Sequence, residues 1–144
     1  MSNNDVITTA INEWLLQYEP ILDIADVHTE ELPDDTNVLS LQRSGVEPLA
    51  NRYITEKGWN RQYQYILLLK NFSESDLQRL TNIEWLDDLS RWVHTQKVNR
   101  NMPEIEGMTV YDVSCANAIT YETDEEGAIS TYYIQLYFNI KGGN

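Results

Sequence analysis

Few side chains in this sequence are of the types that carry out catalysis. His28 lies in an acidic stretch and His94 near the end of a predicted helix, and no partner motif accompanies either. The single cysteine, Cys115, lies in a β-patterned run without metal-ligand spacing, so we expect a buried structural thiol. The sequence contains no glycine-rich phosphate loop and no recognisable Ser-His-Asp order. We therefore predict no enzymatic activity, no catalytic residues, no cofactor and no metal site.

The densest acidic cluster could in principle bind a hard cation. Asp124, Glu125 and Glu126 precede Gly127, and carboxylates beside a glycine are typical of calcium loops. The cluster lacks the alternating acidic ligands and the distal glutamate of an EF-hand. A charged hairpin turn, with Gly127 at positive φ, is the prediction that this pattern favours.

Aromatic side chains are more informative than the titratable ones. The chain has nine tyrosines and four tryptophans, many of them in β-patterned runs. Tyr132 and Tyr133 fall on opposite faces of the last predicted strand, because side chains alternate along a strand. Tyrosine is enriched at protein interfaces, although ordinary cross-strand pairs would also place tyrosines here. The candidate subunit interface comprises five tyrosines: Tyr111, Tyr121, Tyr132, Tyr133 and Tyr137.

Composition bounds the class of protein. With 144 residues, 42% hydrophobic and 23% charged, we expect one globular domain, residues 1–144, with frayed ends. The net charge of −13 disfavours binding to duplex nucleic acid, which requires lysine and arginine. The polar start does not resemble a signal peptide and no run approaches the roughly 20 apolar residues of a membrane span, so we expect a cytosolic protein without membrane contact.

Hydrophobic periodicity predicts two main helices. Apolar residues recur at helical spacing from Val6 to Tyr18, and Pro20 ends that helix. The second helix has Ser73 as its N-cap and an aromatic-rich stripe that extends to Val93, before the pattern ends over residues 96–101.

Strand patterns surround the second helix. Residues 59–70 predict a central strand, with Tyr63 and Tyr65 on one face and Gln62 and Gln64 on the other. The pattern alternates at its start and is fully apolar by its end, so we expect one exposed end and one buried end. Shorter strands are predicted over residues 37–43, which end at Ser44 and Gly45, and over residues 53–56. Residues 21–27 could be a strand or a turn. Residues 28–35 are predicted to be a loop. Residues 108–123 and 128–141 predict two arms of one long hairpin. The fold class is therefore α+β, a mostly antiparallel sheet with a long C-terminal β-hairpin, packed by two main helices.

The order of these segments resembles a known family. The segments are residues 53–59 (YITEKGW), 61–69 (RQYQYILLL) and 76–82 (DLQRLTN), then Trp92, Pro103 and residues 129–136 (ISTYYIQL). The succession is similar to that of the tail terminator proteins of long-tailed phages and prophages of Gram-positive bacteria, often labelled minor capsid proteins. The resemblance covers nearly the whole chain and depends on order and spacing, since no single motif is a signature.

The resemblance implies a structural virion protein, made in the host cytoplasm and located in the tail or neck. Such proteins form a hexameric ring that terminates the tail tube and joins it to the head connector. The implied partners are other copies of the chain, the tail tube protein and the head–tail connector protein, with DNA passing through the lumen without sequence-specific binding. An acidic lumen would repel DNA, so we expect Asp124, Glu125 and Glu126, or residues 30–35, to face it.

Other functions remain open at this stage. A head-completion or connector protein of the neck would also form a ring. The acidity would also suit an inhibitor that mimics DNA and binds a basic host protein. An enzyme would need perturbed carboxylates in a pocket, for example at Glu84 or Asp112, and no motif in the sequence indicates one.

Overall fold

The computed structural model describes residues 3–18, 26–29, 38–49, 58–72, 76–116, 119–123 and 129–142. Two helices and seven strands lie within these ranges. In chain order they are α1 (Asn3–Leu15), β1 (Asp26–Thr29), β2 (Val38–Pro48), β3 (Trp59–Phe72), α2 (Asp76–Val98), β4 (Glu104–Ile105), β5 (Met108–Cys115), β6 (Ile119–Thr123) and β7 (Ile129–Gly142).

The strands form one sheet in the order β1-β2-β3-β7-β5-β4, with β6 also paired to β7. All pairs are antiparallel except β1 with β2, which run parallel. β3 pairs with β7 along its whole length, so β5 and β6 must share the opposite edge of β7. The predicted α+β class, with a mostly antiparallel sheet and a long C-terminal hairpin, is confirmed.

The first arm of the hairpin is not the single strand that the sequence predicts. It consists of β5 and β6, and the pairing with β7 slips by one residue on three occasions. Tyr111 and Tyr121 are the extra residues of two slips, and the third falls between Cys115 and Ile119. An extra residue in one strand increases the local right-handed twist, so the bulges at Tyr111 and Tyr121 divide the regular pairing of this arm.

Alternation along β3 and β7 places the core on one face of the sheet. Tyr65 pairs with Leu136 and Leu67 with Ile134, and all four side chains are at most 1% exposed. Tyr63 and Leu69 on the same face are also buried. The predicted contrast between the two ends of β3 is confirmed, because Arg61 near its start is exposed, while Leu68 near its end is buried although it lies on the other face. These direct cross-strand pairs give the sheet a continuous apolar face.

Both helices pack on this buried face. Ile7, Ile11 and Trp14 of α1 enter the core, and the Trp14 ring meets Phe138 edge-on at 5.7 Å between centroids. A buried hydrogen bond of 2.8 Å joins the Thr8 and Tyr65 hydroxyls. The helices therefore cover one face of the sheet only.

The two helices also contact each other through aromatic side chains. α2 buries Leu86, Leu89 and Val93, as its stripe predicts. The ring centroids of Trp92 and Trp14 are 4.9 Å apart. Trp85 and Trp92, both half-buried, also contact the ring of Tyr18, which follows α1. These ring contacts fix the position of α2 relative to α1.

Several local predictions need correction. β2 does not end at Ser44 and Gly45, because Ser44 is the extra residue of a bulge and pairing resumes at Gly45. His28 lies in β1 rather than in a loop, because the backbone of residues 26–29 pairs with β2. The Ser73 cap, the strand over residues 53–56 and the acidic turn at residues 124–127 lie outside the described residues. Among the described helices, none is both long and apolar enough to cross a membrane.

Candidate subunit interface

The face of the sheet opposite the helices carries a polar, tyrosine-containing surface. Both helices pack on the other face, and toward the start of β7 this face is itself buried, at Ser40, Leu68 and Thr131. We call the polar surface the open sheet face and define it by ten residues. They are Gln42, Asn60, Gln62, Gln64, Ile66, Tyr111, Tyr133, Gln135, Tyr137 and Asn139. Tyr111 is exposed and the other nine are half-buried.

Hydrogen bonds order the side chains of the open sheet face. Gln62 donates to the Asn139 Oδ1 at 3.2 Å, and Gln64 donates to the Gln62 Oε1 at 3.1 Å. The Tyr137 hydroxyl donates to the Gln135 Oε1 at 2.8 Å. Each carboxamide has two N–H donors and a carbonyl oxygen with two lone pairs, so these bonds leave capacity for further partners. The side chains of this surface are therefore ordered by internal hydrogen bonds and retain unused hydrogen-bonding capacity.

The structure separates the five tyrosines of the predicted interface. Tyr133 and Tyr137 lie on the open sheet face, and Tyr111 lies at its margin, 41% exposed. Tyr132 is only 1% exposed and belongs to the core. Its assignment to the interface is corrected, because a side chain inside the core cannot reach a second subunit. The backbone of Tyr121 lies in β6, and its side chain lies outside the described residues.

A groove of about 740 Å³ adjoins the open sheet face at the end of α2. We call it the α2–β5 groove, and Lys97, Arg100, Met102, Glu104, Tyr111 and Asp112 are among its lining residues. The Lys97 Nζ lies 2.9 Å from the Asp112 carboxylate, which ties the last turn of α2 to β5. The Tyr111 hydroxyl donates to the Asn60 Oδ1 at 2.6 Å, and the Lys141 ammonium lies 5.7 Å from the centre of the Tyr111 ring. Tyr111 thus belongs to both the groove and the open sheet face.

Arg100 closes the end of α2 in an unusual backbone conformation. Its φ of 58° is in the left-handed region, and the Asn101 N–H bonds the Gln96 carbonyl while the Arg100 N–H bonds the Lys97 carbonyl. This is the Schellman pattern, in which glycine is the usual residue at the left-handed position. An arginine there costs about 1 kcal/mol relative to glycine, because its Cβ crowds the following carbonyl.

The surroundings of Cys115 keep its thiol unreactive. Cys115 is half-buried rather than buried, and its Sγ lies 2.9 Å from the Ser90 Oγ, beside a cavity of about 190 Å³ that His94 and Lys97 also line. Burial raises the pKa of the Cys115 thiol, and the hydrogen bond with Ser90 only partly offsets that. The thiol therefore stays protonated at neutral pH, a poor state for a nucleophile or a metal ligand.

Only some of the other predicted candidates have described side chains. His94 is exposed on α2, while His28 is described only by its backbone in β1. Among the described side chains, no three histidine, cysteine, aspartate or glutamate residues come together as a metal site. The lumen-facing assignment of Asp124, Glu125 and Glu126 remains a prediction, because these residues lie outside the described ranges.

Sequence reasoning missed the α2–β5 groove. Its lining comes from α2, β4, β5 and the connection between α2 and β4, and no single segment carries a recognisable signature. The one local signal is the run Asn99-Arg100-Asn101 directly after the helix, a composition typical of a left-handed cap.

Comparisons with known proteins do not identify a family. No protein-family model matches the chain, and no curated protein matches it either. The resemblance to tail terminators therefore stays a prediction.

Proposed function

We propose that this protein is a structural virion subunit that forms a ring, terminates a phage tail tube and joins it to the head connector. The observation that supports this proposal best is the open sheet face. Two helices pack on one side of the sheet, while the other side presents half-buried tyrosines and carboxamides, next to a buried end at Ser40, Leu68 and Thr131. Tyr133 and Tyr137 have an apolar ring and a polar tip, the combination that protein interfaces favour.

A ring requires two different patches on each subunit, because its interface is heterologous and closes by rotation. The open sheet face supplies one patch. The edge formed by β5 supplies a second, because among the described strands only the two-residue β4 pairs with its outer side. An edge of this kind can add a strand or a loop from a neighbouring subunit.

The net charge supports the same role. A ring at the end of a tail tube lets DNA pass through without retaining it, and the charge of −13 repels phosphate. In this proposal the acidic turn at Asp124, Glu125 and Glu126 contributes to the repulsion.

Self-association of the purified protein is the first test. We expect an assembly several times heavier than the 16.8 kDa chain in sedimentation velocity and light scattering. Tyr137→Arg places a charge on the open sheet face and should shift the assembly toward monomer. Thr95→Arg adds the same charge to an exposed position of α2 and is the matched control. Equal effects of the two variants, or a wild-type protein that is monomeric at all concentrations, would contradict the proposal.

The biological test is electron microscopy of lysates from the parent phage or prophage after deletion of the gene. Overlong or irregular tail tubes beside separate DNA-filled heads would support termination of the tube. Tails of normal length beside leaking heads would move the protein to the head side of the neck. Intact infectious particles would rule out a virion role.

A further inference from the structure

Arg61 is an exposed cation on the side of the sheet that carries the helices, and it has no carboxylate partner. Its guanidinium lies over the Trp59 ring, 4.8 Å from the ring centre, and its side chain makes no hydrogen bond or ion pair within the described part of the chain. Its neighbours on this side are uncharged, because Pro48 and Ile140 pair with it and Tyr63 lies two residues along β3. Since the guanidinium donors lie in its own plane, contact with a ring leaves them available for a carboxylate.

Glu47 is an exposed carboxylate without a partner on the opposite side of the sheet. It pairs with Gln62 of β3 and therefore borders the open sheet face, and its side chain makes no hydrogen bond or ion pair among the described residues. Its neighbours on this side, Gln62 and Gln64, are uncharged. Glu47 is next to Pro48, the cross-strand partner of Arg61, but successive side chains alternate between faces. Glu47 and Arg61 thus lie on opposite sides of the sheet and do not pair within one subunit.

Apolar side chains surround Arg61 at this end of the sheet. We call Val46, Pro48, Trp59 and Arg61 the Arg61 patch. Val46 is 38% exposed, Pro48 is exposed and Trp59 is half-buried. The Trp59 ring packs so closely on Gly142 that a Cβ atom there would lie 2.7 Å from it, which fixes the ring beneath the guanidinium. An arginine on a fixed tryptophan, with apolar neighbours, is a composition that protein interfaces favour.

We propose that Arg61 of one subunit forms an ion pair with Glu47 of a second copy, so that the Arg61 patch packs against the margin of the neighbour's open sheet face. The inference rests on the proposed ring and names a contact that would join successive subunits. Charge complementarity indicates this occupant, because each residue supplies the opposite charge that the other lacks in its own subunit. Lys141, a cation on the same side as Glu47, lies two strands away and over the Tyr111 ring.

The contact is head-to-tail, because its two halves lie on opposite sides of the sheet. One copy can therefore use Arg61 toward one neighbour and Glu47 toward the other. Contacts of this kind produce rings or filaments rather than closed dimers. Arg61 is exposed although it shares its side of the sheet with α1 and α2, so the helices leave this end accessible to a neighbour.

Charge reversal tests the pair in the full-length protein by sedimentation velocity. Arg61→Glu would bring two carboxylates together at the contact, and Glu47→Arg would bring two cations together. Each variant alone should therefore associate about tenfold more weakly than the wild type. An equimolar mixture of the two variants should recover association, because every contact between unlike copies again joins opposite charges. The double variant Arg61→Glu/Glu47→Arg should recover it as well, since the pair is then inverted.

Matched controls separate the pair from general effects of charge and of damage to the fold. Arg100→Glu makes the same change at another exposed arginine, and Glu84→Arg makes it at an exposed glutamate of α2, so both should leave association unchanged. Arg61→Lys keeps the charge but loses the forked donor geometry, so it should retain part of the association. The thermal midpoint of each variant should stay within about 3 °C of the wild type, because these substitutions are on the surface.

The outcomes separate this inference from the proposed function. If the wild-type protein does not assemble, both fail. If it assembles and neither charge reversal weakens association, the contact between Arg61 and Glu47 is refuted and the ring proposal stands. If both reversals weaken association but neither the mixture nor the double variant recovers it, the two residues meet different partners and the inference is overturned. Retention of duplex DNA by the wild type but not by Arg61→Gln would assign Arg61 to phosphate and also overturn it.

Discussion

Replacing Phe138 by alanine should reveal how strictly the sheet separates its two faces. Phe138 is fully buried on β7, where it pairs with Tyr63 of β3 and with Val113 of β5. Its ring meets the rings of Trp14 and Tyr65 edge-on, with 5.7 and 5.9 Å between centroids. Truncating a buried phenylalanine costs about 3–5 kcal/mol, because the ring no longer fills its site and a cavity remains. Because the alanine variant also removes both edge-on ring interactions, we expect the upper part of that range. This is a large fraction of the roughly 5–15 kcal/mol by which a domain is stable.

The neighbouring Tyr137 is the matched control. It precedes Phe138 in the chain but lies on the open sheet face, where it is half-buried and bonds Gln135. Tyr137→Ala should therefore cost only about 1 kcal/mol of the free energy of unfolding.

Urea unfolding at low protein concentration, where self-association would not contribute, measures both free energies. Phe138→Leu, expected to cost about 1–2 kcal/mol, provides a folded variant in case the alanine variant does not fold. Equal costs for Tyr137→Ala and Phe138→Ala would refute the assignment of faces along β7.

Two further predictions concern buried hydroxyls. Thr8→Val should cost about 0.5–1.5 kcal/mol because it removes the buried hydrogen bond to the Tyr65 hydroxyl, and in urea unfolding the double variant with Tyr65→Phe should cost less than the sum of the two single variants. Full additivity of the two costs would show that the hydroxyls are not coupled. Burial, reinforced by Asp88 and opposed by Arg91, raises the pKa of Tyr18 above 10.0, so the folded state holds this proton more tightly than the unfolded chain. The resulting stability is complete below about pH 10 and is lost as the pH rises through the folded pKa of Tyr18. Tyr18→Phe should therefore reduce the fall in the free energy of unfolding at alkaline pH. If the wild type and Tyr18→Phe lost the same free energy of unfolding from about pH 9 to about pH 11.5, this prediction would be contradicted.

Much of the fold could be predicted from periodicity. The pattern of β3 predicts a strand with a buried end, where Leu67 and Leu69 are buried, and the helical spacing in α2 predicts the stripe that buries Leu86 and Leu89. These assignments succeed because burial of apolar side chains is the main driving force of folding, and its direction is fixed by the repeat of each element.

The candidate sites were less predictable. Periodicity separates Tyr132 from Tyr133 but does not say which of the two faces the helices, so the sequence assigns Tyr132 to the interface although it lies in the core. Bulges at Ser44 and Tyr111 also escape the pattern, because an extra residue in one strand is defined only by its pairing with another strand.

The sequence by itself determined the α+β class, the two helices, the central strand β3 and the excess of negative charge, since these follow from composition and from contacts between near neighbours. Tertiary structure decided which face of β7 is buried, how far β2 extends, and that Arg100, Tyr111 and Asp112 line one groove. The physical reason is that strand pairing and helix packing join residues far apart in the chain. The local sequence pattern of a strand or helix does not specify which distant element it will pair with or pack against.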